Sequence, residues 1–382
     1  MAYQKVGGTP RFYIDLLSYN QSIGNIDYLK IREHNVDTIY VGTDELLPHI
    51  GLNPTNPLLL QMPFNNQEPL YDLQILFKED IFIQGKNSWH GVFNHNCKTT
   101  NTFWWGRILT SGNTWMADRE SVINYDLGGY GRVYPEGNFG YIEDGFSIMI
   151  GTPVEPELPT SGFAFKLEIN DMVDPTNFTI LDIEEGSIPF SIGSIGGGTY
   201  YDMPTSPDLD LTMSIEYDGF SNIKTLNGST ITQANYQGSP WWYDVDGNKR
   251  EPWAIGESTG LTKRNGRRVW NLKFSYMSDK DLFASNYGSN SYLETDTDYD
   301  STDLDTDTDN NNIFYYIIDN DDSFSAQVLN KISHGEKFIF QPNNNANNPS
   351  DFAICMLDED SFSMKRTAFN VYDIEMKIRE VW

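Results

Sequence analysis

Strict two-residue alternation constrains this chain more than any other feature. Leu209, Leu211, Met213, Ile215 and Tyr217 are interleaved with Asp210, Thr212, Ser214, Glu216 and Asp218, and Trp270, Leu272, Phe274 and Tyr276 with Asn271, Lys273 and Ser275. Successive side chains of a strand point to opposite faces, so each stretch offers one apolar and one wet face and fits a half-buried strand. The segment from Tyr372 to Glu380 alternates in the same way, and Phe163, Phe165, Leu167 and Ile169 share one face opposite Lys166 and Glu168. Shorter runs at Leu73, Ile81, Gly91, Phe103 and Phe146 repeat the pattern, and Gly, Asn, Asp and Pro punctuate them. Many short strands separated by turn residues give an all-β, antiparallel reading.

A chain of 382 residues exceeds what one core usually organises. Residues 1–64 mix apolar patches with Asn, Gly and Pro and read as an N-terminal arm with one or two short strands. Residues 65–187 read as an antiparallel β-sandwich. Beyond a Gly-rich break at Gly193-Ser-Ile-Gly-Gly-Gly, residues 188–382 read as a second β domain with one helix at about 323–333. There Phe324, Val328, Leu329 and Ile332 recur at helical spacing and Gly335 ends the run. Within that domain, residues of about 290–312 form an acidic tract in a span, Asp281 to Asn330, that carries no Lys or Arg. Repelling charges and scarce apolar surface predict a flexible insertion.

Lys and Arg number 26 against 54 Asp and Glu, a formal charge of −28, which argues against nucleic acid as a partner. Cys97 and Cys355 lack metal or disulfide spacing and read as free thiols. The first residues lack the apolar core of a signal peptide, and no run of about 18 apolar residues occurs, so a soluble product made in a cytoplasm and not inserted in a membrane is expected.

Chemistry is scarce. The five histidines are scattered, no Gly-x-Ser-x-Gly elbow occurs, and the Gly-rich break is followed by Thr-Tyr-Tyr-Asp-Met-Pro where a phosphate loop needs a helix. No catalytic residue is assigned and no enzyme is expected. Asp244-Val-Asp-Gly-Asn opens like a cation loop, but Lys249 stands where the sharp-turn glycine belongs, and a hairpin turn fits better. Asp296, Asp298, Asp300, Asp305 and Asp307 are spaced like weak calcium ligands, and otherwise as a solvated linker; no other cofactor is expected. Trp104, Trp105, Trp115, Trp241 and Trp242 are candidates for stacking on sugar rings, with a place in the core as the alternative for each.

Four passages carry a resemblance: Met1 to Asp15, Tyr200 to Met213, Gly266 to Tyr276, and Phe338 to Trp382. They resemble a family of uncharacterised virion proteins of marine and other environmental tailed bacteriophages. The segment from Ile81 to Cys97, with its Asn-His-Asn turn, resembles the jelly-roll, galactose-binding-like sandwiches of phage tail and appendage proteins, in which that turn is architectural. The C-terminal half is similar in layout to tail-tube and distal-tail domains that form rings. The resemblance implies a structural protein of the virion tail, at the tip or baseplate or as a fibre adaptor, assembling with copies of itself and with other tail proteins. Host-surface glycan binding is the alternative it implies, and a carbohydrate-active enzyme is the less favoured one. Arg267, Arg268, Lys377 and Arg379 are the cations expected to make contacts between such acidic subunits.

Overall fold

The computed structural model of the protein describes residues 8–33, 39–41, 43–53, 60–62, 71–77, 88–94, 101–111, 114–115, 131–134, 146–151, 163–171, 190–208, 212–216, 220–234, 242–243, 249–250, 266–282, 322–332, 335–345, 352–358 and 361–381. The fold is all-β with a few short helices. Its largest sheet is antiparallel and runs Thr212–Glu216, Arg267–Ser278, Val371–Glu380, Ala353–Leu357, Phe338–Gln341, Arg11–Asp15, Ser194–Asp202, Ser88–Phe93, Phe146–Gly151 and Gly131–Tyr134. Ser363–Ala368 lies beside Val371–Glu380 as an eleventh strand. A six-stranded sheet runs Ile39–Val41, Ile26–Glu33, Tyr71–Phe77, Phe163–Asp171, Asn101–Ser111 and Thr114–Trp115. The large sheet thus draws strands from all three stretches distinguished in the sequence.

Its middle is the N-terminal strand, hydrogen-bonded to Ser194–Asp202 on one side and to Phe338–Gln341 on the other. Strand alternation sends Phe12 and Ile14 into one core and Tyr13 into another. Phe338 and Phe340 join Phe12 while Ile339 joins Tyr13, so a strand buried on both faces reads as an unbroken apolar run. Tyr13 donates its hydroxyl to Gln341 Oε1 at 2.7 Å, and Trp89 donates Nε1–H to the Ile14 carbonyl at 2.9 Å, so both buried polar tips have partners. Arg11 forks onto Asp202 at 2.6 and 2.8 Å.

Helix Leu16–Ser22, absent from the sequence reading of an extended arm, follows this strand directly. Asp15 caps it by accepting the Leu17 N–H at 3.1 Å, and Leu16 and Leu17 turn into the core. The helix expected near 323–333 is present, opening as a wide five-residue turn at Ser325–Leu329 and closing at Asn330–Ile332. Phe324, Val328 and Ile332, four residues apart, are buried, as are Ser325, Ala326 and Gln327 between the first two, and Phe324 packs edge-on to Phe12 at 5.7 Å.

Two alternating strands depart from expectation. Tyr276 should be buried with Trp270, Leu272 and Phe274, but a bulge between Phe274 and Met277 shifts the register, with Tyr276 at φ 62°. Met277 turns inward instead and Tyr276 is 82% exposed. The strand around Met213 is also not half-buried: Met213 is 57% and Ile215 44% exposed, because Thr212–Glu216 is the edge of the sheet. Cys355 is a buried free thiol, as expected; Cys97 lies outside the described residues.

An ion pair anchors the far side of the sheet. Arg268 and Glu380 lie on the apolar face, one strand apart, and both are buried. Arg268 donates Nε–H and Nη2–H to Glu380 at 3.1 Å each, its backbone N–H to the same carboxylate at 3.0 Å, and Nη2–H to the Phe352 carbonyl at 2.6 Å. Its guanidinium also lies 5.1 Å from the Trp270 ring centre. Removing one member strands a buried charge, at a cost of about 3–5 kcal/mol. In urea unfolding, Glu380→Gln and Arg268→Met should each lose stability of that order, and the double variant much less than the sum of the two losses.

A second test uses adjacent residues of the Gly-rich strand. A Cβ at Gly198 would collide with the Ile14 carbonyl oxygen and press on the Leu16 amide, whereas Thr199 next to it buries a hydroxyl with no hydrogen-bond partner among the described residues. Gly198→Ala should therefore destabilise by about 1–3 kcal/mol. Thr199→Val should leave the melting temperature equal or raise it, since it removes an unsatisfied buried hydroxyl worth about 1 kcal/mol or more.

Candidate functional site

The grouping nearest to reactive chemistry lies where the N-terminal helix meets the Gly-rich strand. Asp15 accepts from Ser18 Oγ at 2.5 Å, from the Gly197 N–H at 3.2 Å and from the Leu17 N–H. Burial pushes its carboxyl up to about 6, against the opposing pull of Ser18, Gly197 and Leu17. His49 donates Nδ1–H to the Gly193 carbonyl at 2.8 Å, and burial holds its imidazole below the usual value. The residue after Ile50, Gly51, has φ +96° and abuts Ser18, where any side chain would collide with the hydroxyl. Every polar atom of Asp15 thus serves a helix cap and a strand contact, and the histidine bonds a strand end. This is architecture, not a nucleophile with its base.

The surface is more informative. Met213 and Ile215 stand opposite Trp270 and Arg268 across the ladder and so share the face that is apolar elsewhere in the sheet, beyond its packed part. The hairpin Phe220–Lys224 with Thr230–Ala234 forms a two-stranded sheet of its own. Gly228, at φ +81°, closes the turn by donating its N–H to the Thr225 carbonyl. Ile223 and Ile231 face each other as an exposed cross-strand pair, and Leu226 at the turn is fully exposed. An isolated two-stranded hairpin is marginal in water. Five large exposed apolar residues therefore fall within Met213 to Ile231. At another turn, Phe369 is 82% exposed and carries the Arg366 guanidinium 5.5 Å from its ring centre.

Three of the four cations assigned to contacts between subunits, Arg268, Lys377 and Arg379, are held in ion pairs within the chain. Arg268 is buried on Glu380; Lys377 reaches Asp358 at 2.6 Å and Glu216 at 3.8 Å; Arg379 reaches Glu216 at 2.9 Å. Arg268, expected at a contact between subunits, lies inside instead, because two adjacent arginines at the start of a strand give no sign that one of them is buried.

Of the sugar-stacking candidates, Trp104 and Trp105 stand opposite Glu168 and Leu167 in the six-stranded sheet, Trp115 opposite Thr110, and Trp242 opposite Arg250 in a separate two-residue pairing. The ladder does not join Trp242 to the other three. Trp241 and the calcium candidates Asp296, Asp298, Asp300, Asp305 and Asp307 lie outside the described residues. Among the described residues, no three His, Cys, Asp or Glu side chains gather as a metal site would require, and no helix is long and apolar enough to cross a membrane. Compared with protein-family models, with curated proteins and with solved structures, the chain matches none.

Asp15 yields a pH test. Its carboxyl titrates near 3.8 in an unfolded chain and near 6 in the folded one, so its protonation stabilises the fold. That contribution is complete below the lower value and is lost as pH rises through the upper one, an effect of about 2–3 kcal/mol. Going from pH 7 to pH 5, the parent should gain more melting temperature than Asp15→Asn, which has no proton to bind. Equal gains would contradict the shifted carboxyl.

Proposed function

We propose that the chain is a structural protein of a tailed-bacteriophage particle, at the tail tip or baseplate or as a fibre adaptor, which works by assembling with copies of itself and with other tail proteins. The observation that carries this reading is the run of exposed apolar residues on the Thr212 edge strand and the hairpin after it. Contiguous exposed apolar surface marks sites of interaction. An unprotected strand edge is a template for pairing with another chain. The resemblance of four passages to virion proteins supplies the setting. Recognition of host-surface glycan is a second reading, favoured by the exposed rings of Tyr276 in the large sheet and of Phe369 at the turn after Ser363–Ala368.

Mass spectrometry of purified particles should recover the chain, and antibodies against it should label the tail. Its absence from particles, with abundant product in the lysate, would reject the virion reading. Incubated with isolated host envelope, the protein should release no saccharide; release abolished by substitution of one carboxylate would make it an enzyme.

A further inference from the structure

We propose that the Thr212–Glu216 edge pairs with the same edge of a second copy of this chain about a two-fold axis, extending the large sheet from one subunit into the next. This deepens the assembly reading above by naming one surface and one partner, and it concerns self-association alone. The strand ends the sheet, and among the described residues no strand pairs with its outer side. Its five residues, Thr-Met-Ser-Ile-Glu, include no Pro or Lys and its ladder to Arg267–Asn271 has no bulge, so three common guards of an edge strand are missing from it.

The pattern is self-complementary. Antiparallel pairing centred on Ser214 sets Met213 of one copy against Ile215 of the other, twice, and Thr212 against Glu216. The apolar contacts then fall on the face that carries Trp270 and Ile378, so the apolar face of one sheet continues into its copy. Cross-strand apolar pairs of this kind stabilise an antiparallel ladder. Charge does not oppose it locally, for Glu216 already holds Arg379 at 2.9 Å and Lys377 at 3.8 Å, and each carboxylate would arrive compensated.

Another exposed strand beside the same sheet behaves differently. Self-pairing of Ser363–Ala368 about its centre would set Lys365 against Arg366, cation on cation. Five-residue pairing alone makes a small contact, below the size of stable interfaces. The exposed hairpin supplies more: Phe220 is four residue steps, at most about 14 Å of chain, beyond Glu216. Ile223, Ile231 and Leu226 are therefore within reach of the copy.

The test uses the full chain. By light scattering, the parent should have twice the mass of one chain, and Met213→Lys or Ile215→Lys should halve it while leaving the circular dichroism spectrum unchanged, since both side chains are exposed. Ser214→Cys, in a Cys97→Ser background, should form a covalent dimer on mild oxidation, because only a two-fold through this strand brings residue 214 against itself. A monomeric parent up to its solubility limit would overturn the proposal. So would an oligomer in which Ser214→Cys fails to cross-link. Head-to-tail pairing of the Thr212 edge with the Ser363 edge, read out as cross-linking of Ser214→Cys to Lys365→Cys in larger assemblies, would overturn it too. These outcomes are independent of whether particles contain the chain, so either reading can fail alone.

Discussion

The insertion of Arg11–Asp15 between Ser194–Asp202 and Phe338–Gln341 is the constraint on which the large sheet depends. Without that strand the sheet would divide in two, with unpaired ladders on both sides and two cores open along one edge. The contacts that hold it are among the most distant in the chain: Tyr13 with Gln341, Arg11 with Asp202, Thr9 with Asn344. Bringing such partners together has to precede the reward of burying Phe12, Tyr13 and Ile14, which makes closure of the sheet a late and slow event. Hydrogen bonds at the N-terminal end of the strand compensate: Arg11 forks onto Asp202, and Asn344 bonds Thr9 and Asp202 together.

Strand character was legible because alternation is local. Trp270, Leu272, Phe274, Ile374, Met376 and Ile378 are buried as the two-residue period requires, and the helix at Phe324, Val328 and Ile332 follows from its four-residue spacing. What a local pattern does not encode is position in the sheet. Met213 and Ile215 alternate as cleanly as Leu272 and Phe274, yet lie at an edge and stay about half exposed. Tyr276 is displaced by a one-residue bulge that no composition signal announces, and Arg268 with Glu380 look like surface charges until the ladder sets one beside the other on the apolar face. The short helix Leu16–Ser22 went unread because its cap, Asp15, is also the last residue of a strand. The surface now carrying the functional argument was visible as residues and hidden as a site, since exposure is a tertiary property.

Charge explains why that surface is apolar. Each chain carries a formal −28, so approaching copies repel. The cations near the edge, which the sequence offered as the remedy, are already held by Glu216, Asp358 and Glu380. Freeing one for a partner would uncover the carboxylate it serves and give no net gain in charge. On the proposed pairing, attraction between copies would come from apolar burial and backbone hydrogen bonds, which ask nothing of the charge balance.

On the assembly reading proposed above, the same balance reconciles an exposed strand edge with a chain that stays dispersed until it pairs. Repulsion between exposed charges reaches about 8 Å at physiological ionic strength, whereas apolar contact acts only when surfaces meet. An acidic surface thus slows every approach, and specificity falls to the few places where charge is compensated and apolar atoms are exposed together. The Thr212 edge meets both conditions: Glu216 is neutralised by Arg379 and Lys377, and Met213 and Ile215 stand beside it. The Ser363 strand has exposed Met364 but adjacent Lys365 and Arg366, and meets only the second. General acidity would then do at long range what lysines and bulges do on ordinary edge strands, and leave pairing to the Thr212 edge.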